Sequence, residues 1–152
     1  MKISDHITYA EAIHSSTAKR RSIDNTPNPT QVETMKLTAE KIFEPLREWV
    51  GGPIKVNSFF RSTELNTAIG GSKTSQHCKG QAIDIDDVYG CKTNAEMFKW
   101  IKGNLNFDQM IWEFGTDTNP NWVHISYVSD EDNRNRCLKA YKQNGRTKYK
   151  VI

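Results

Sequence analysis

The sequence lacks a long apolar run and contains few cysteines, and both shortages narrow the classes of protein it fits. No stretch approaches about 18 apolar residues, and no apolar run follows the lone lysine near the N-terminus. We therefore expect neither a membrane span nor a signal peptide. The three cysteines cannot all pair, and they lack the CxxC spacing of a zinc ribbon or redox motif. Reduced thiols and synthesis in a cytoplasm are expected.

Length and composition predict one folded domain. A chain of 152 residues is long enough for one domain with a substantial core and short for two. Hydrophobic residues make up 36% and charged residues 26%, which is on the polar side of globular, but the many aromatic residues argue against disorder. We expect a single domain over residues 1–152, and a monomer.

The C-terminal part of the chain is basic. From Arg134 onward there are seven Lys/Arg and no acid, whereas the preceding part has 14 bases and 18 acids. Such a tail could bind nucleic acid or an anionic cell envelope, but a solvated face is the simpler interpretation. Asn144-Gly145 predicts a hairpin that pairs residues 137–143 with 146–152. Since no stretch resembles a DNA-binding motif, we expect no specific nucleic-acid binding.

The pattern of apolar residues predicts a main helix and four strands. Thr30-Gln31-Val32-Glu33 has the spacing of a capping box and would start the helix, Pro45 should kink or locally open it, and Gly51 should end it. The predicted strands cover residues 54–60, 82–87, 107–114 and 122–127. In the third strand, alternation would put Met110, Trp112 and Phe114 on one face and Gln109, Ile111 and Glu113 on the other.

A turn followed by a strand carries the first candidate metal ligands. His77 lies in a turn that contains Gly80, and Asp84 follows seven positions later in an alternating run. Side chains alternate in β structure, so Ala82, Asp84 and Asp86 share one face and the two intervening isoleucines share the other. The isoleucines can be buried while the aspartates face a site.

The strand at residues 122–127 repeats this arrangement, with Trp122, His124 and Ser126 on the face opposite its apolar side chains. Two imidazoles and a carboxylate, from His77, Asp84 and His124, are three ligands for Zn²⁺. A fourth position would then be open to water, which is typical of a catalytic zinc. The spacing alone also fits histidines and an aspartate with purely structural roles.

A set of short motifs surrounds the three candidate ligands. They are Phe60-Arg61-Ser62, Asn66, Gly70-Gly71-Ser72, Ser75-Gln76-His77, Gly80, Ala82, Asp84, Ile111-Trp112-Glu113-Phe114 and Trp122-Val123-His124-Ile125-Ser126. In these motifs the sequence resembles the D-alanyl-D-alanine carboxypeptidase family of zinc peptidases, and most closely its small phage and prophage branch. That family includes peptidases of peptidoglycan stem peptides and the phage L-alanyl-D-glutamate endolysins. The resemblance covers about residues 5–127, and residues 128–152 would form the basic hairpin.

The resemblance implies an α+β fold in which a small antiparallel sheet carries the site and helices pack on its back. It implies zinc on His77, Asp84 and His124, and it implies that Arg61 faces the substrate or its developing oxyanion. The implied substrate is a peptidoglycan stem peptide. Because we expect no signal peptide, action on the wall would follow release by lysis or through a partner pore.

The sequence departs from the family at the general base. Many members have an acid three residues before the last histidine, where this chain has Asn121, which cannot take a proton. Glu113 is the best replacement, since it ends the neighbouring strand and could accept a proton from metal-bound water. Asp86 is the alternative base, or a partner that holds a ligand imidazole.

Three further residues are candidates for substrate binding or support of the site. Ser75 would line the site or orient its loop, and Trp122 and Ser126 share the face of His124. The leading hypothesis is a zinc peptidase, of carboxypeptidase or endopeptidase type. The alternative is a catalytically silent, zinc-stabilised module that binds cell wall or belongs to a phage particle, since Asn121 could mean lost chemistry.

Overall fold

A computed structural model describes all 152 residues, which form eight strands and six α-helices. The strands are β1 (Lys2–Ser4), β2 (Ile7–Thr8), β3 (Lys55–Ser58), β4 (Ala82–Asp86), β5 (Gln109–Glu113), β6 (Trp122–Ser126), β7 (Arg136–Gln143) and β8 (Arg146–Val151). The helices are α1 (Tyr9–Ile13), α2 (Ser16–Arg20), α3 (Pro29–Thr38), α4 (Glu44–Val50), α5 (Thr63–Ala68) and α6 (Asn94–Asn104). None of them is long and apolar enough to cross a membrane.

Six strands form one sheet in the order β3-β4-β6-β5-β7-β8, and β1 pairs only with β2. All neighbours in the large sheet are antiparallel except β5 and β7, which run parallel. The predicted α+β class and C-terminal hairpin are therefore confirmed. Asn144 and Gly145 both have positive φ, 53° and 77°, as the two-residue turn between β7 and β8 requires.

The core lies on one face of this sheet. The isoleucines of β4, Met110 and Trp112 of β5, and Val123 and Ile125 of β6 join α3, α4 and α6 in a cluster of 25 buried residues. Ile83 and Ile85 belong to this cluster whereas Asp84 lies beside His77 and His124, so the predicted alternation in β4 is confirmed. The opposite face of β4 and β6 carries the polar side chains of Asp84, His124 and Ser126.

The main helix starts earlier than the sequence pattern predicted. Its N-cap is Asn28, whose Oδ1 accepts from the Gln31 N–H at 2.8 Å, while Gln31 Oε1 accepts from the Asn28 N–H. The predicted start at Thr30 is wrong because Asn is a better N-cap than Thr and Pro29 suits the first helical position. Before Pro45 the helix widens into a π-helical segment, Ala39–Phe43, which confirms the predicted local opening.

One alternation predicted for β5 is wrong. Phe114 has a φ of +57°, so the strand geometry ends at Glu113 and the side chain of Phe114 leaves the face of Met110 and Trp112. Its ring instead tilts against Trp122, with centroids 5.7 Å apart. Phe114 therefore lies on the same side of the sheet as Glu113.

Candidate active site

His77 lies on a single 3-10 turn, Gln76–Lys79, between two capping residues. At the start, Ser75 Oγ accepts from the His77 N–H at 3.3 Å. At the end, Gly80 has a φ of +78°, and a Cβ there would lie 2.7 Å from Met35 Cγ. Only glycine fits this left-handed, crowded position, so the turn is held tightly against α3.

The strand register brings the other two candidate ligands together. Asp84 of β4 lies directly opposite His124 of β6, and His124 Nδ1 lies 2.9 Å from Asp84 Oδ1. Both side chains point away from the core, as the alternation of each strand dictates. A pair separated by 40 residues along the chain is thus placed side by side by antiparallel pairing.

His77 completes a cluster whose ligand atoms all lie within 4.8 Å of one another. Its Nε2 is 3.3 Å from Asp84 Oδ1, and the two imidazole rings meet edge to face at 5.1 Å. His77 Nδ1 donates to the Phe59 carbonyl at 2.7 Å, so in the neutral ring Nε2 holds a lone pair. That nitrogen is buried and has no hydrogen-bond partner.

The charges of the cluster suit a divalent cation. Burial lowers the pKa of His77, which keeps this imidazole neutral. Burial alone would raise the pKa of Asp84, but the neighbouring His77 and His124 hold it well below its usual range. A neutral imidazole and an ionised carboxylate are the forms that bind zinc, and the Phe59 carbonyl fixes the tautomer. The three residues therefore fit a zinc ion.

Arg61 lies beside this cluster, beyond the end of β3. Its Nη2 is 3.5 Å from Asp84 Oδ2, and its Nε donates to Ser58 Oγ at 3.1 Å. Nη1 is 3.5 Å from the side-chain oxygen of Asn66. The side chain is 18% exposed, so part of a fixed guanidinium stays accessible at the edge of the site.

Glu113 ends β5 on the same face of the sheet as His124. It pairs with Trp122, while Ile111 pairs with His124, so Glu113 and His124 are diagonal neighbours. The residue is 9% exposed, and burial raises the pKa of its carboxyl to about 7, with the nearby His124 acting in the opposite direction. A carboxyl that titrates near neutral pH can both accept and donate a proton.

The other predicted site residues have identifiable contacts. Asp86 Oδ1 accepts from the Asn94 side chain at 2.8 Å, so it contacts the start of α6 and makes no hydrogen bond to an imidazole. Trp122 packs against Phe114. Ser126 is fully buried, and its Oγ accepts from the Gln109 N–H at 3.0 Å. These three side chains thus contact α6, the strand end and β5, respectively.

Sequence patterns missed Asp108, a buried carboxylate next to the site. It is 2% exposed and accepts from Gln76 Nε2 at 3.0 Å and from Arg134 Nη2 at 2.8 Å. Gln76 directly precedes His77, so this carboxylate ties the 3-10 turn to the start of β5. An acid inside the apolar segment 107–114 was the available signal.

A comparison with protein families identifies the chain's relatives. Residues 5–126 match the family model described as Peptidase M15, and a search of curated proteins finds no match. The matched segment is most of the chain and contains His77, Asp84, His124, Arg61 and Glu113. It ends before the C-terminal hairpin begins. The chain therefore belongs to the Peptidase M15 family, which consists of zinc-dependent peptidases.

Proposed function

We propose that this member of the Peptidase M15 family hydrolyses peptide bonds in peptidoglycan stem peptides, with zinc held by His77, Asp84 and His124. The observation that supports this best is the buried Nε2 of His77, which has no hydrogen-bond partner and lies against Asp84. Such an orphaned nitrogen is costly unless a ligand takes its lone pair. We propose further that residues 1–152 act as one zinc peptidase domain.

Glu113 is the proton carrier in this proposal. Zinc supplies a Lewis acid that polarises the scissile carbonyl and lowers the pKa of water. The Glu113 carboxylate accepts a proton from the attacking water and then donates it to the leaving amine. Burial raises its pKa to about 7 in the metal-free protein, and it lies diagonal to His124 on the same face as the candidate ligands. Asn121 is exposed and cannot take a proton, so it does not compete for this role.

Arg61 is the group that recognises negative charge. A guanidinium can bind a carboxylate through two parallel hydrogen bonds, or stabilise the charge that develops on the scissile carbonyl oxygen. Ser58 and Asn66 hold its orientation, so little ordering is needed when substrate binds. A terminal carboxylate would make the enzyme a D-Ala-D-Ala carboxypeptidase, and a D-glutamate side chain would make it an L-Ala-D-Glu endopeptidase.

The resemblance to the phage branch favours an endolysin-like role, in which the enzyme is made in a cytoplasm and acts on the cell wall after release. Both specificities remain within this proposal, because Arg61 serves either carboxylate. Trp122 and Ser75 lie close enough along the chain to His124 and His77 to shape the rim of the same site.

Digestion of purified sacculi tests the proposal. The zinc-loaded protein should release peptides whose new amino terminus, identified by mass spectrometry, shows which bond was cut. Removing zinc with EDTA should abolish the product, and Glu113→Gln should lower the rate at least about a hundredfold while zinc stays bound. Glu131→Gln, which changes an exposed acid far along the chain, is the matched control and should behave as wild type.

A silent zinc-stabilised binding module is the second candidate, because Asn121 stands where many relatives of this type have an acid. That candidate predicts that the zinc-loaded protein binds sacculi but releases no peptide. If the zinc-loaded protein releases no zinc-dependent product from sacculi, the peptidase proposal is wrong. Equal rates for wild type and Glu113→Gln would overturn only the role given to Glu113.

A further inference from the structure

The face of the sheet that carries the candidate zinc ligands continues onto the C-terminal hairpin. The strand register places Asp84 beside His124, His124 beside Ile111, Ile111 beside Leu138 and Leu138 beside Val151. Neighbouring strands are about 4.8 Å apart, so this row extends about 14 Å from His124 to Val151. The row runs across the strands without a gap.

A second row on the same face starts at the proposed proton carrier. Trp122 pairs with Glu113, Glu113 with Ala140, and Ala140 with Tyr149. Tyr149 is therefore two strand spacings, about 10 Å, from Glu113. Burial and the charge of Glu113 both raise the pKa of Tyr149, which agrees with a phenol that lies on this face.

On this face of β7 the central residues Leu138 and Ala140 are apolar, whereas Arg136 and Lys142 at the two ends are basic. Lys142 Nζ lies 5.5 Å from the centre of the Phe114 ring. Ile111, Leu138 and Ala140 are buried in a cluster of their own, separate from the main core and partly covered by Phe114. At the outer edge, Tyr149 is 55% and Val151 69% exposed. The opposite face of β8 carries Lys148 and Lys150. Leu138 and Ala140 are 6% and 0% exposed, so Tyr149 and Val151 are the accessible apolar side chains of this face. We call these two residues, with Leu138 and Ala140 beside them, the apolar strip. Adjacent exposed apolar side chains next to a site are a feature of ligand-binding surfaces.

The strip and Arg61 lie on opposite sides of the candidate zinc ligands. Arg61 follows β3, at one edge of the sheet, whereas the strip covers β7 and β8 at the other edge. A peptide that crosses the strands over His124 would have its carboxylate-bearing part at Arg61 and its apolar part on the hairpin. The 10 Å between Glu113 and Tyr149 accommodates about three extended residues.

We propose that the hairpin edge formed by Tyr149 and Val151, beside the buried Leu138 and Ala140, is a substrate subsite. It binds about three small apolar residues of the peptide, such as alanines, on the side of the scissile bond opposite Arg61. Val151 is aliphatic, and Tyr149 is the hairpin's only aromatic side chain on this face, so methyl groups fit this surface better than stacked sugar rings. This inference rests on the proposed peptidase function and adds to it the position and chemistry of one substrate segment.

Kinetics with two synthetic peptides test the subsite. Both contain the L-Ala-D-Glu and D-Ala-D-Ala bonds considered above, but only the longer one has three further alanine-type residues on the hairpin side. Combined replacement Tyr149→Ala and Val151→Ser should raise KM for the longer peptide about tenfold, with kcat and zinc content unchanged, and should leave the shorter peptide's KM unchanged. The control Lys148→Ala changes the other face of the same exposed strand and should have no effect.

Three results would overturn the subsite. The first is an unchanged KM of the double variant for the longer peptide, and the second is an equal rise in KM for both peptides. The third is a loss of activity only on substrates that carry the disaccharide, which would indicate glycan binding instead. Calorimetry of the longer peptide with the metal-free protein separates this inference from the function proposal. If wild type cuts neither peptide but binds the longer one about tenfold more tightly than the double variant, only the peptidase proposal fails. Equal binding by both proteins overturns the subsite.

Discussion

Replacement of Glu113 by glutamine should stabilise the metal-free protein at alkaline pH. The carboxyl is 9% exposed, and burial raises its pKa from 4.5 to about 7. The folded protein therefore binds this proton more tightly than the unfolded chain does. Glutamine has nearly the same shape as glutamic acid but never carries the charge that burial disfavours.

The size of the effect follows from the two pKa values. One unit of pKa difference corresponds to about 1.4 kcal/mol, so values of 4.5 and about 7 correspond to about 3 kcal/mol. Below pH 4.5 both states hold the proton, and Glu113 does not reduce stability. As the pH rises from 4.5 through 7, Glu113 ionises in the unfolded chain before it ionises in the folded protein, so the free energy of unfolding falls. Above pH 7 this decrease is complete.

Urea unfolding in the presence of a chelator measures this difference. At about pH 8 the Glu113→Gln protein should have a free energy of unfolding higher by up to about 3 kcal/mol, and at about pH 4 the two proteins should be equal. Glu131→Gln controls for the loss of an exposed acid. A variant that is less stable at pH 8, or a gap that persists at pH 4, would refute the reasoning. Zinc should narrow the gap, because its positive charge favours the carboxylate.

Three other changes have expected outcomes. Asp108→Asn should lower the free energy of unfolding by about 2 kcal/mol and weaken zinc binding, because it disrupts the charge-assisted pair with Arg134. Urea unfolding measures the stability and zinc titration the affinity, and wild-type values in both assays would contradict this prediction. Gly80→Ala should cost at least about 2 kcal/mol, because φ is +78° and the new Cβ would lie 2.7 Å from Met35 Cγ; a thermal melt within about two degrees of wild type would show the turn to be tolerant. Zinc should raise the melting temperature of wild type but have much less effect on that of Asp84→Asn, which loses an anionic ligand. Calorimetry with and without EDTA measures the shift in melting temperature for each protein, and equal shifts would exclude Asp84 as a ligand.

From strand alternation, the sequence could predict which side chains face the site. In β4 and β6 one set of alternate residues is apolar, so burial of that set decides where Asp84 and His124 point. The partners that fix each side chain were beyond this reasoning. The Phe59 carbonyl that holds His77, and the Asp108 carboxylate that holds Gln76, are contacts between segments far apart in sequence. No local pattern encodes such a pairing.

Two local predictions failed where competing signals were close together. At the start of the main helix, Asn28 followed by Pro29 was a stronger cap than Thr30, and the capping-box spacing at Thr30 was a coincidence of composition. At the end of β5, Phe114 takes a left-handed φ that a bulky residue rarely adopts, so its apolar character gave no warning of the turn. In both cases the error is at an element boundary, where alternation and helical periodicity stop carrying information.

The C-terminal hairpin is basic in composition, but its pairing with β5 places an apolar strip on the face that carries the site. Alternation in β8 separates Lys148 and Lys150 from Tyr149 and Val151, and this separation is visible in the sequence. Which of the two faces meets the site is decided by the parallel pairing of β5 with β7, which sets Glu113 beside Ala140 and thereby Tyr149. A shift of that pairing by one residue would turn the lysines toward the site and the apolar strip away from it. The substrate subsite therefore depends on one strand register as much as on the residues that form it.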